Sequence, residues 1–122
     1  MAQQPSLFEI QPADVTPIIE VDGPATGTWA ERAAAFHANN PHVYALLVRL
    51  ARYAQSKGLR RWGIKAAFEV LRFKAIETVG DLYKLNNNYT AWYAREIMRR
   101  EPDLSEFFAT RTSPHDPDFY QQ

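Results

Sequence analysis

The chain contains no cysteine. That excludes a disulfide framework, a thiolate zinc centre and a cysteine nucleophile. It also has no net charge, because 14 Lys and Arg balance 14 Asp and Glu with the 3 His counted neutral. A dedicated nucleic-acid binder usually carries a basic excess, so the total counts against that class. No apolar run reaches the roughly 20 residues that span a bilayer, and no membrane partner is expected. The opening residues, MAQQPSLFEI, lack a basic start and an apolar core, which argues against an export signal and for the cytoplasm. Phosphate-loop, GxSxG and HExxH patterns are all missing, so the sequence points away from an enzyme. Proline is absent from one long interval: all 8 lie outside residues 42–101, which Pro41 and Pro102 bracket. Proline has no amide donor and clashes with the preceding helical turn, so such an interval reads as a helical body between irregular arms.

What is present fits one small globular domain. The 122 residues include 3 Trp, 6 Tyr and 7 Phe, enough for a real core. The expected fold is all-α, a compact bundle of four to five helices whose order leaves a helix-turn-helix-like arrangement open. Residues 1–27 read as an extended N-terminal arm, 28–111 as the helical domain and 112–122 as a C-terminal tail. The arm is too apolar, at Phe8, Ile10, Val15, Ile18, Ile19 and Val21, to stay in water entirely. A strap across the body, a short hairpin and a contact with a second subunit all remain open for it.

Thr28 and Glu31 form a capping-box pattern that starts a helix at about 29–39. Asn40 is the expected cap of a second helix, with Pro41 at its first position and Gly58 ending it. Val43, Leu46, Leu47, Leu50, Tyr53 and Ala54 make its apolar stripe. A third helix over roughly 62–78 buries Ile64, Ala67, Phe68, Leu71 and Ala75, and carries Arg61, Lys65 and Arg72 on its outer face. Gly80-Asp81 breaks it, and 82–87 is either a short extended piece or a loop. A fourth helix is expected to start near Asn87 or Asn88 and to end before Pro102. Its core side is Tyr89, Trp92, Tyr93 and Ile97. Asp103 with Glu106 then suggests a short closing helix that contributes Leu104, Phe107 and Phe108.

Charge is unevenly distributed. Residues 42–75 hold eight cations and one carboxylate, a balance of +7, between acidic flanks of −4 and −3. Such a segment suits a face that meets phosphate, or one neutralised by its own acidic ends. Within it, KGLRRWGIK at 57–65 places Arg60, Arg61 and Lys65 at a helix junction, where they could grip a phosphate backbone without reading sequence. The three consecutive asparagines 86–88 suggest a recognition helix, since Asn can pair twice with adenine, although a cap and a turn use asparagine equally well. On that reading Arg60, Arg61, Lys65 and Arg72 touch phosphate, while Asn87, Asn88, Arg95 and Arg99 approach a groove. It requires the cations and the asparagine tip to share one open surface. His37 and His42 lack a metal-ligand spacing, and the tail sequence HDPD around His115 offers too little preorganisation for an ion. No cofactor, metal or catalytic residue is therefore expected.

FHANNPHVY at 36–44 and KLNNNYTAWYAREIMRREPDLSEFF at 84–108 resemble short uncharacterised proteins encoded by bacteriophages and prophages. The resemblance covers about residues 29–111. It implies a phage context and no particular activity, and so assigns no catalytic residue. The expectation from residues and context together is a small non-catalytic protein binding double-stranded DNA. The alternative is an interaction factor that inhibits or recruits a host defence or transcription protein. A homodimer through the N-terminal arm is compatible with either.

Overall fold

The computed structural model describes residues 10–15, 18, 27–80 and 88–109. Among the described residues four α-helices surround one core: α1 (Trp29–Asn39), α2 (Pro41–Ser56), α3 (Ile64–Val79) and α4 (Thr90–Arg100). Two short strands, β1 (Trp62–Gly63) and β2 (Phe108–Ala109), pair in parallel, with Trp62 opposite Phe108. No described helix is long and apolar enough to cross a membrane. Among the described residues the bundle is all-α apart from that pair of strands.

Local chemistry fixes the helix ends. Thr28 Oγ1 accepts from the Glu31 amide at 3.1 Å and Glu31 Oε1 accepts from the Thr28 amide at 3.2 Å, closing the capping box. At the other end of α1, Asn39 Nδ2 donates to the Ala35 carbonyl at 2.9 Å and Asn40 Nδ2 to the Phe36 carbonyl at 3.0 Å. This corrects the expected role of Asn40. It stands at the N-cap position of α2, but no capping bond to α2 comes from its side chain. The amide is fully buried, and it reaches back to a carbonyl that the end of α1 leaves open. After α2, Gly58 adopts φ +99°, a conformation that costs side-chain-bearing residues, and the Leu59 amide returns to the Ala54 carbonyl at 3.2 Å. Gly80, at φ +76°, is the residue at which α3 ends, its amide donating to the Ile76 carbonyl at 2.8 Å.

Three further expectations shift. Trp62 and Gly63 are not helical, because the Trp62 amide donates to the Phe107 carbonyl at 2.9 Å and both residues run extended. Arg61 therefore precedes α3 and is not on its outer face. α4 begins at Thr90, with Tyr89 at the cap position and Asn88 in the turn before it, so asparagine does not lead the helix. The closing helix is instead a 3-10 turn, Pro102–Leu104, that leads into β2. Pairing with β1 needs Phe108 extended, and the Asp103 carboxylate is held by Arg52. The buried positions of Leu104, Phe107 and Phe108 are nevertheless as the apolar pattern implies. Residues 82–87, most of the N-terminal arm and the whole 112–122 tail lie outside the described residues. Within the arm, Pro12–Asp14 form a 3-10 turn whose neighbours Ile10 and Val15 are buried in the common core, and Asp14 meets Arg49 at 3.3 Å.

The core is organised around Tyr93, which is 1% exposed. Its ring lies 5.7 Å from Phe68 of α3, 6.4 Å from Phe36 and 6.0 Å from His37 of α1, and 5.1 Å from Trp92. These rings meet edge to face, the arrangement favoured by their quadrupoles. His37 also faces Tyr44 at 5.2 Å and Trp92 at 5.6 Å. Burial, then repulsion from Arg100, lowers the pKa of His37 below its ordinary 6.5, with Glu96 opposing.

Tyr93→Ala is expected to cost roughly 3–5 kcal/mol, as for other large buried aromatics. Trp92→Ala, at a half-buried ring, should cost clearly less, and denaturant titration of the two variants checks the order. His37 gives a pH dependence. Its pKa is lower folded than unfolded, so the unfolded chain binds more protons as pH drops below about 6.5 and stability falls. Melting midpoints measured between about pH 7 and 5.5 should decline less in His37→Gln than in the parent.

Candidate nucleic-acid interface

The α2–α3 connection carries the accessible cations. Gly58 turns the chain out of α2, and pairing of Trp62 with Phe108 holds its far end, so Leu59, Arg60 and Arg61 project between two fixed points. Lys65 lies in the first turn of α3, whose cap residue Gly63 offers no side-chain acceptor. Arg60, Arg61 and Lys65 are all exposed, and none forms an ion pair with another described residue. Arg60 and Arg61 border an open cavity of about 360 Å³ together with Gln55, Ser105, Phe107 and the acidic residues Asp103 and Glu106. The positive end of the α3 dipole lies at the turn that carries Lys65.

The other cations suggested by the sequence are engaged within the fold. Arg72 donates to Glu69 Oε1 at 2.6 Å, one helical turn away. Arg99 and Arg100 both reach Glu96 Oε2 at 2.8 Å. Burial works to raise the pKa of Glu96, but these two arginines outweigh it and the carboxyl stays below its ordinary range. Arg95 lies 5.7 Å over the Trp29 ring, a cation–π contact that ties α4 to α1. Asn88 is exposed, and its carbonyl accepts from Trp29 Nε1 at 3.2 Å. Asn87 lies outside the described residues. α4 separates the two groups. Asn88 precedes its first turn, whereas Phe107, which binds Trp62 beside Arg61, follows its last. The 11 residues of α4 rise about 16 Å, and Arg60 and Arg61 share a cavity with Asp103 just past its last turn, so the asparagine tip and these two arginines sit toward opposite ends of that helix.

Between them runs a charge network that local sequence patterns do not reveal. Arg52 donates through Nε to Asp103 Oδ2 at 3.0 Å and through Nη2 to Asp103 Oδ1 at 3.1 Å, and Nη2 also reaches Glu101 Oε1 at 2.8 Å. Tyr44 donates to the second Glu101 oxygen at 2.8 Å, and burial together with that carboxylate pushes the phenol up to about 12. The Arg52 hydrogen bond holds the Asp103 carboxyl below its ordinary value. Gln55 Nε2 adds a bond to the Asp103 carbonyl at 2.8 Å. Because these partners stand about 50 positions apart, no local spacing in the sequence points to their pairing. The network holds the 101–104 segment against α2 and removes Arg52 from the set of accessible cations.

No family model, curated protein or solved structure matches the chain.

Proposed function

We propose that the protein is a small non-catalytic binder of double-stranded DNA that grips the phosphate backbone through Arg60, Arg61 and Lys65. The observation carrying this reading is that these three exposed cations, uncommitted to any described carboxylate, share the junction of α2 and α3. Backbone contacts of this kind fix position and orientation but read no bases. Asn88 lies at the other end of α4 and takes no part in the proposed grip. Arg72 and Arg99, each bonded to a carboxylate one turn away, contribute little net positive field there. The phage resemblance is compatible with an accessory factor or regulator acting in the bacterial cytoplasm.

Counterion release makes the proposal quantitative. Each phosphate contact contributes a slope of about −0.9 in log affinity against log salt, so three contacts predict about −2.7. Gel shifts on a short duplex across a salt series should return that slope. Arg60→Ala, Arg61→Ala and Lys65→Ala should each reduce it by about 0.9, with little change in melting midpoint. Asn88→Ala should leave slope and affinity unchanged. Affinity that does not weaken with salt, or that survives all three alanines, overturns the proposal.

A further inference from the structure

On the other side of the 57–62 connection lies a second, chemically different concavity of about 370 Å³. Leu50, Tyr53 and Ala54 of α2, Trp62 of β1 and Val70 of α3 form its floor and walls, and Leu59, 41% exposed, forms a lip. Its size falls within the range of about 300–1,000 Å³ typical of ligand sites, with room for large side chains and no need for a flat, extended partner. Tyr53 and Trp62 are half-buried aromatics, which present area at little entropic cost and dominate many binding hot spots. On the outer side of α3, Phe73, three positions after Val70, is 61% exposed and extends the apolar surface.

The charged groups among the lining residues are of one sign. Lys57 and Lys74 line the groove from α2's end and from α3, and no carboxylate is among its lining residues. The Lys57 ammonium is 5.6 Å from the centre of the Tyr53 ring, so its cation stands over the aromatic wall. Lys74 is 3.7 Å from Glu77, a loose one-turn pair that a competing carboxylate can replace. An apolar trough between two ammonium groups complements a segment with an apolar anchor flanked by acids, and repels the basic equivalent.

We infer that this groove is a docking site for a short peptide segment of another protein, one that inserts an aromatic or leucine side chain and carries aspartate or glutamate on both sides. The site is independent of the proposed DNA contact: Arg60 and Arg61 border the other cavity and are not among its lining residues.

Fluorescence anisotropy with the intact protein tests the assignment. The probe is a labelled synthetic peptide with a Leu-Phe pair between aspartates. Two control peptides replace the aspartates by lysines or the Leu-Phe pair by serines. The acidic Leu-Phe peptide should bind at least about tenfold more tightly than either control. Leu59→Arg should abolish that binding, and joint Lys57→Glu and Lys74→Glu should reverse the preference toward the basic peptide. All three positions lie on the rim, and unchanged melting midpoints confirm folding. Binding that ignores peptide charge, or a preference that survives charge reversal, overturns the inference. So do two other occupants. If the acidic peptide binds only after Phe119 and Tyr120 are replaced by alanine, the chain's own acidic-aromatic tail is the occupant. If the free protein sediments as a dimer that Leu59→Arg dissociates, a second copy is.

Discussion

Helices of 11 residues, such as α1 and α4, are too short to persist alone in water, because the cost of nucleating a first turn is recovered only over longer lengths. They exist here because both are held to one aromatic cluster. Tyr93 is the residue in which those attachments meet, with ring contacts to α1 and α3 and with α2 packed beside it. The Arg95–Trp29 contact and the Trp29–Asn88 hydrogen bond secure the start of α1 to the first half of α4 and the turn before it. Everything that faces solvent inherits its position from this cluster. The seating of α4 determines where 101–109 leaves it, β2 then meets β1, and β1 holds the end of the connection that carries Arg60 and Arg61.

That sequence of dependence also decides which charges remain available. The positive middle of the chain is not a uniform basic face. Arg49 meets Asp14, Arg52 meets Glu101 and Asp103, and Arg72 meets Glu69. Two of these three pairings join the cationic middle to the acidic flanks, which is the internal neutralisation that zero net charge allows. Exposed ion pairs of this kind contribute little to stability. Their larger consequence is selection: among the described residues they leave the α2–α3 junction as the place where cations stand together without acidic partners.

Much of the fold was legible because it rests on local rules. The capping box at Thr28, the helix-ending glycines and the five buried positions of α3 follow from chemistry within a turn or two of each residue. The readings that shifted depend on partners distant in sequence. Trp62 and Phe108 looked helical by their neighbours, but become extended by pairing with each other across 46 positions. Asn40 looked like a forward cap, but burial forces its amide toward the nearest open carbonyl, at the end of α1. The candidate site divides in the same way. The run of exposed cations at 60, 61 and 65 could be read directly from the sequence. Their separation from Asn88 could not, because it depends on the direction in which α4 crosses the bundle.

The short connection between α2 and α3 thus has more structural consequence than its length suggests. It is fixed at one end by a glycine in a left-handed turn and at the other by a strand pair, so side chains within it are committed to different sides. Arg60 and Arg61 turn toward Gln55 and Phe107, while Leu59 and Trp62 turn toward Tyr53 and Val70. A connection free at either end would let arginines and apolar groups exchange sides, and the polar and apolar cavities would not stay distinct. Two small clamps, a glycine turn and a strand pair backed by the buried Phe108 ring, are therefore what set exposed arginines and an apolar groove a few residues apart in a chain of zero net charge.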